Sequence, residues 1–331
     1  MCIFSFLRKT FKRRPMNNTF RLMTAHVEQN SEFNSLNGKN ILWFPLQVPH
    51  NVLMYKFLED TFNKYLMLVK REEFKISEDN VKIVRGVMDG LLNVLKIHQT
   101  GDVIKAYESF ETLMKYFYDS DSKLPSIKLE DGYTFYRMRA KEHNLKDKRE
   151  FYHLPINKRS LCSSGRFSIA GYPCLYLGYS KNVCMVETSQ NGTMCGLELS
   201  KAQTKGLKIL DLSFGNSQNE DEDVDNFIIA WPLIVSCYII MANEQINRDS
   251  KFREEYIIPQ MLTAYLRHNT DFDGIRYYST RNENLNPYGR KEEDFRNVVL
   301  FTKNYDSDGY DMELINRFKW FEPFNIGTIK Q

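Results

Sequence analysis

The six cysteines of this 331-residue chain include no C-x-x-C pair, and its six histidines include no H-x-x-x-H pair. The ligand spacings of common zinc sites are therefore missing, and we expect no metal. Also missing are a G-x-x-x-x-G-K-[ST] loop, a G-x-G-x-x-G turn, a G-x-S-x-G elbow and an H-E-x-x-H helix. Their absence removes the usual grounds for kinase, dinucleotide-binding dehydrogenase, α/β-hydrolase and zincin chemistry. A dominant sign of charge is lacking too: 45 Lys and Arg stand against 42 Asp and Glu, a net +3. That is too weak a field to make nucleic acid the main partner. The longest uncharged run, FIIAWPLIVSCYIIMAN at 227–243, is short for a membrane span and contains Pro232. We expect no span there, but a buried helix over about 227–241. In the opening MCIFSFLRKTFKRRP the charges follow an apolar stretch too short for a signal peptide, and residue 2 is Cys, not Gly. Secretion and myristoylation are not expected, and the cysteines read as reduced thiols of a cytoplasmic protein.

What is present is an ordinary globular balance, 42% hydrophobic and 26% charged, with a high aromatic share of 14%. Residues 1–40 are basic, then polar and Asn-rich, with little periodicity; they read as an irregular lead-in. From 41 to 122 three apolar stripes recur at helical spacing: Met54, Leu58, Phe62, Leu66 and Val69; Val84, Val87, Met88, Leu91 and Leu95; Val103, Tyr107, Phe110, Met114 and Phe117. Gly101 falls where a helix would end. The polar stretch DSDSKLPSIKLEDG at 119–132 marks a boundary between this helical N-terminal domain and a second unit, 123–331. There the pattern turns to short strands: 133–139, 173–180, 194–200, 207–213, 273–280 and 296–303. Helices interrupt them, one from about Pro259 in a first-turn position. The acidic stretch GNSQNEDEDVDN reads as a solvated loop. The fold class predicted is α+β, a mixed β core with flanking helices behind an all-α N-terminal region.

Chemistry-bearing residues gather in the second unit. Arg137 lies in the strand FYRMR, beside Tyr136. Arg166 follows Gly165 in SSGRFS; Tyr176 sits in the strand LYLG; Glu187 lies on a helix, CMVETS; Ser279 ends the strand RYYST. Forked guanidinium donors suit a pyrophosphate. A carboxylate suits a developing positive charge, and tyrosines suit a flat ring. Each residue alone has a plain structural alternative: a turn arginine, a solvated glutamate, a core tyrosine, a capping serine. His153 in FYHLP reads as structural.

The segments FYRMRAKEH, EFYHLPINKRS, GRFSIAGYPCLYLGYSKNVCMVETS, LKILDLS, DGIRYYST and NVVLFTK resemble the RES domain, a family named for its Arg, Glu and Ser positions. The likeness covers roughly 130–305. It implies a core similar to ADP-ribosyltransferases and an activity that consumes NAD+, as in toxins of the family. By position it implies a site of Arg137, Arg166, Tyr176, Glu187 and Ser279, with Tyr136 adjoining and with the family arginine matched by either of the two. NAD+ would be the substrate. Water or inorganic phosphate would be the acceptor; a protein or nucleic acid would make the enzyme an ADP-ribosyltransferase instead. The contrasting reading is a non-catalytic binding module. A helix-turn-helix antitoxin or another regulator, and a homo-oligomer, are the partners this likeness suggests. Two departures stand out: the N-terminal helices, which compact toxins of the family lack, and the charged stretch 281–295.

The implied chemistry is physically coherent. Nicotinamide leaves NAD+ as a neutral pyridine and needs no proton, so the second carboxyl of an ordinary glycosidase is dispensable. One carboxylate can steady the oxocarbenium-like sugar, while two arginines fix the pyrophosphate. Ser279 would donate a hydrogen bond near the nicotinamide amide or its ribose.

Overall fold

The computed structural model describes residues 18–118, 124–129, 132–140, 145–188, 192–200, 206–213, 222–242, 252–281 and 295–326. Helices α1 (Asn18–Gln29), α2 (Met54–Val69), α3 (Glu78–Gln99) and α4 (Val103–Tyr118) build the N-terminal region. The predicted stripes of α2 and α3 are buried, with Leu66 partly so. Helix α3 starts where the Ser77 side chain accepts the Asn80 N–H, and Glu78 and Asp79 favour its positive end. It stops before Gly101, whose φ of +86° only glycine adopts readily. In α4, Phe110 and Met114 are buried while Val103 is 53% exposed. Phe117 has no described side chain. The lead-in reading is corrected for residues 18–33: α1 sends Met23 and Val27 into the core with Phe33, both at helical spacing too short a run to register in the sequence.

Among the described residues four more helices follow: α5 (Lys181–Thr188), α6 (Glu222–Cys237), α7 (Ile257–Asn269) and the one-turn α8 (Met312–Ile315). Helix α6 is the expected buried helix with shifted ends. It begins inside the acidic stretch, at Glu222, and it stops at Cys237 instead of running to 241. The physical reason is a competing strand partner. The Tyr238 carbonyl accepts the Leu46 N–H, and Ile239–Met241 then pairs in parallel with Leu46–Val48.

The strands are β1 (Leu46–Val48), β2 (Ser126–Leu129), β3 (Thr134–Ala140), β4 (Cys174–Gly178), β5 (Gly192–Leu199), β6 (Leu207–Asp211), β7 (Ile239–Met241), β8 (Gly274–Tyr278), β9 (Arg296–Phe301), β10 (Phe318–Trp320) and β11 (Phe324–Ile326). The main sheet runs β10-β5-β3-β4-β9-β8-β6-β2, with β11 also on β5. Its pairings are antiparallel except β6 with β8. The chain is thus α+β, as its sequence pattern predicts. The six predicted strands are all present; β1, β2, β7, β10 and β11 went unread, four of them being three residues long.

Strand alternation puts a core on each face of the sheet. Leu175, Leu177, Val298 and Leu300 face one core, with Phe135 and Phe318. Cys174, Ile275, Val299 and Phe301 face the other, where they join α6, α7 and the N-terminal helices in one continuous cluster. Among the described residues no helix is long and apolar enough to cross a membrane.

Candidate active site

Strands β3 and β4 pair at one position only, Tyr136 with Gly178. A continued ladder would next pair Arg137 with Leu177 and then Met138 with Tyr176. Instead, the Tyr176 carbonyl accepts a hydrogen bond from the Arg137 guanidinium at 3.2 Å. The sheet opens here, and a strand arginine fills the breach. A cleft of about 320 Å³ lies at this opening, on the face that carries the larger core.

One row of the sheet forms its floor. Tyr136, Gly178, Asn297 and Tyr277 are successive cross-strand partners, so their side chains share a face. Gly178 is the gap in that row. A Cβ there would come within 2.6 Å of Cys184 Sγ and Val183 Cγ1, so glycine lets α5 lie directly on the strand. The helix thereby carries Glu187 over the floor, where its Oε1 accepts from Asn297 Nδ2 at 2.7 Å. Its Oε2 meets Arg281 Nε at 3.3 Å. The carboxylate thus faces the cleft and is 32% exposed.

The two predicted arginines enter from different elements. Burial, and secondarily Arg139, pushes the Arg137 guanidinium down to about 9, still cationic at neutral pH but poorly solvated. Arg166 is buried in the turn 165–168 and is partly structural. Its Nη1 donates to the Cys237 and Ile239 carbonyls, both at 2.9 Å, beyond the end of α6. Its guanidinium carbon lies 5.0 Å from the centre of the Tyr256 ring. Among the described residues neither Arg137 nor Arg166 has a carboxylate within ion-pair distance. Two desolvated cations without an ion-pair partner among the described residues make this cleft attractive to an anion.

Tyr176 lies against the same turn. A Cβ on Gly165 would sit 3.0 Å from its hydroxyl oxygen and 2.7 Å from Ser168 Oγ, so only glycine permits the approach. Burial pushes the Tyr176 phenol well above its ordinary value, so it stays protonated and cannot serve as a base. Tyr136 lines the cleft, with Lys181 Nζ 5.7 Å from its ring centre.

Ser279 is the exception. It is fully buried and is not part of the cleft wall. Its N–H donates to the Phe295 carbonyl at 2.9 Å, and its Oγ accepts the Arg281 N–H at 3.2 Å. The expected hydrogen bond from Ser279 to a bound nicotinamide has no geometric support here; the hydroxyl shapes the turn that presents Arg281. His153 is structural as read: its Nε2 accepts the Asp311 N–H at 2.8 Å.

Sequence reasoning missed Asn297, Arg281, Tyr256, Tyr277 and Gln260. Asn297 carried a usable signal, an uncharged polar residue inside the apolar strand RNVVLF. Gln260 carried none. Its Nε2 donates to Ser164 Oγ at 2.6 Å and to the Gly165 carbonyl at 2.9 Å, pinning the Arg166 turn from α7. Among the described residues no group of three His, Cys, Asp or Glu side chains could hold a metal. The stretch 282–294 lies outside the described residues.

Comparison with known proteins adds independent findings. The family model described as RES domain matches residues 134–313, which takes in the whole candidate cleft. A Bacillus subtilis (strain 168) protein named "Putative toxin YopC" is 26% identical over 253 residues, 68% of this chain. The match spans 55% of that protein's own length. No solved structure matches the chain.

Proposed function

Because the chain belongs to the RES domain family, whose model matches more than half of it, we propose that it consumes NAD+ by breaking the nicotinamide–ribose bond. Water or inorganic phosphate is the acceptor, and the setting is that of a toxin or defence effector. The name of the Bacillus subtilis relative supports that setting. The observation that carries the chemistry is Glu187, the one cleft-lining carboxylate among the described residues, facing a pocket with two guanidiniums that have no carboxylate partner among those residues.

In this reading Arg137 and Arg166 hold the pyrophosphate, which supplies the missing counter-charge. Tyr136, Tyr176 and Tyr277 line the cleft and bound the space for the flat rings. The glycosidic C–N bond breaks with both electrons passing to the pyridinium nitrogen, so nicotinamide departs neutral without an acid. Positive charge appears on the ribose, beside Glu187. Asn297 fixes one carboxylate oxygen, so the negative charge is aimed before the reaction begins. Water then attacks the anomeric carbon and releases a proton, giving ADP-ribose; phosphate gives the corresponding sugar phosphate.

The test is to incubate the pure protein with NAD+, with and without phosphate, and to identify products by mass. Free nicotinamide with ADP-ribose or its phosphate is expected. Intact NAD+ under both conditions sinks the proposal, and ADP-ribose found on precipitated macromolecules converts it to transfer. The Glu187→Gln variant is expected to lose about 10²–10³ in kcat, the usual worth of one preorganised electrostatic contact.

A further inference from the structure

Glu187 has two partners in the cleft, and they are not equivalent. Asn297 is neutral, and it orients the carboxylate without cancelling its charge. Arg281 is a permanent cation whose Nε lies 3.3 Å from Oε2. A guanidinium at that distance neutralises much of the potential that a sugar cation would feel. The arrangement is therefore well organised and electrostatically masked.

Arg281 is also placed to leave. Its side chain is 46% exposed, against 4% for the buried structural arginine Arg276. Its backbone N–H is held by the sealed Ser279 hydroxyl, which fixes the base of the side chain. The cleft it would swing across is already lined by Arg137 and Arg166.

Resting on the reading of this cleft as an NAD+ site, we propose that Arg281 is a substrate-sensing counter-ion. It pairs with Glu187 when the cleft is empty and moves to the pyrophosphate when the substrate arrives. The anion of the substrate thus unmasks the carboxylate that its own ribose requires. Ser279 is the positioning residue for this exchange and does not touch the substrate. The consequence is specificity: a nicotinamide nucleoside without phosphates leaves Arg281 on Glu187 and is cleaved poorly.

The experiment compares the full-length protein with its Arg281→Gln variant on NAD+ and on nicotinamide riboside, and measures ADP-ribose binding by calorimetry. The wild type is expected to prefer NAD+ strongly. In the variant that preference should shrink by about 10- to 100-fold, the scale of one charge-assisted hydrogen bond. Part of the change should be a rise in kcat/KM for the riboside, which a merely structural residue would not give. ADP-ribose should bind the variant more weakly by a similar factor. An equal fall in both substrates, or unchanged ADP-ribose affinity, overturns the inference. Should the wild type cleave neither substrate, the proposed function falls while calorimetry alone decides the role of Arg281. ADP-ribose that does not bind the wild type overturns both. Melting temperatures matched between the two proteins establish that the variant folds, and Arg281→Lys, which keeps the charge but loses the fork, should fall between them.

Discussion

Asn297 shows how much depends on one side chain that no motif reveals. It is nearly buried, opposite a glycine, and its amide N–H is spent on Glu187. On the proposed reading, Asn297→Ala is expected to lower kcat by about 10-fold with little change in KM for NAD+, because it releases the carboxylate without touching Arg137 or Arg166; steady-state kinetics checks this. On the opposite face of the sheet a different ionic contact serves stability. Asp211 accepts from Arg276 Nε at 2.9 Å, from Arg276 Nη2, and from Ser213. Burial alone would raise its pKa, but Arg276 and Ser213 outweigh burial and hold the carboxyl below its ordinary value. A depressed carboxylate stabilises the fold above its unfolded pKa of about 3.9, and that contribution is lost as pH falls through the lower folded value. Asp211→Asn should therefore cost about 3–5 kcal/mol at neutral pH by stranding a buried guanidinium, and the deficit should shrink as the wild type is acidified. Urea midpoints from pH 7 down to pH 3 test the sign; a deficit that grows on acidification refutes it. Neither Asp211 nor Arg276 was legible as a pair, since the parallel register of β6 and β8 joins residues 65 apart in the chain.

Helix α6 makes the same point one level up. Its apolar run announced a buried helix, and its proline announced a cost, but the remedy is tertiary. Pro232 has no N–H for the Ile228 carbonyl four residues earlier. Tyr65 of α2 donates its hydroxyl to that carbonyl at 3.2 Å, and Tyr118 of α4 donates to the next one, Ile229, at 3.1 Å. The Tyr65 ring also stacks on Trp231, with centroids 3.8 Å apart. Tyr65→Phe keeps the stack and strands a buried carbonyl, so a loss of about 1–3 kcal/mol is expected. In the Pro232→Ala background the helix supplies its own donor, and the same substitution should cost far less. A double-mutant cycle in urea measures the difference; additive losses would dissociate Tyr65 from the proline. The sequence displayed the period of α2, α3 and α4 because apolar stripes repeat there, while α6 showed only as an uncharged apolar run. It hid β1 and β7 because three-residue strands have no period to read, and their pairing decides where α6 ends. Likewise family spacing brought Glu187, Arg137 and Arg166 together as candidates, whereas the contacts of Ser279 and Arg281 depend on a turn that leaves no signature in the sequence.

Across the whole molecule, the composition shift near residue 122 marks a change of secondary structure, while the hydrophobic core runs through it. Met23, Phe62 and Leu91 belong to the same cluster as Trp231, Leu262 and Val299. The cleft depends on this continuity through Arg166, whose guanidinium binds the carbonyls of Cys237 and Ile239. Ile239 in turn pairs with Leu46, and α6 rests on hydroxyls from α2 and α4. A fragment of residues 123–331 would leave the Ile228 carbonyl unpaired and uncover the apolar flank of α6. It is expected to be aggregation-prone, without a cooperative urea transition and without NAD+ turnover, although it contains every candidate site residue. The intact chain should unfold in a single step, with tryptophan fluorescence and helical circular dichroism coincident, because Trp43, Trp231 and the long helices share one cluster. A fragment that unfolds cooperatively and cleaves NAD+ at the full-length rate would make the N-terminal helices an appendage. Failure of the fragment alongside a coincident transition makes them part of the wall that holds Arg166 in place.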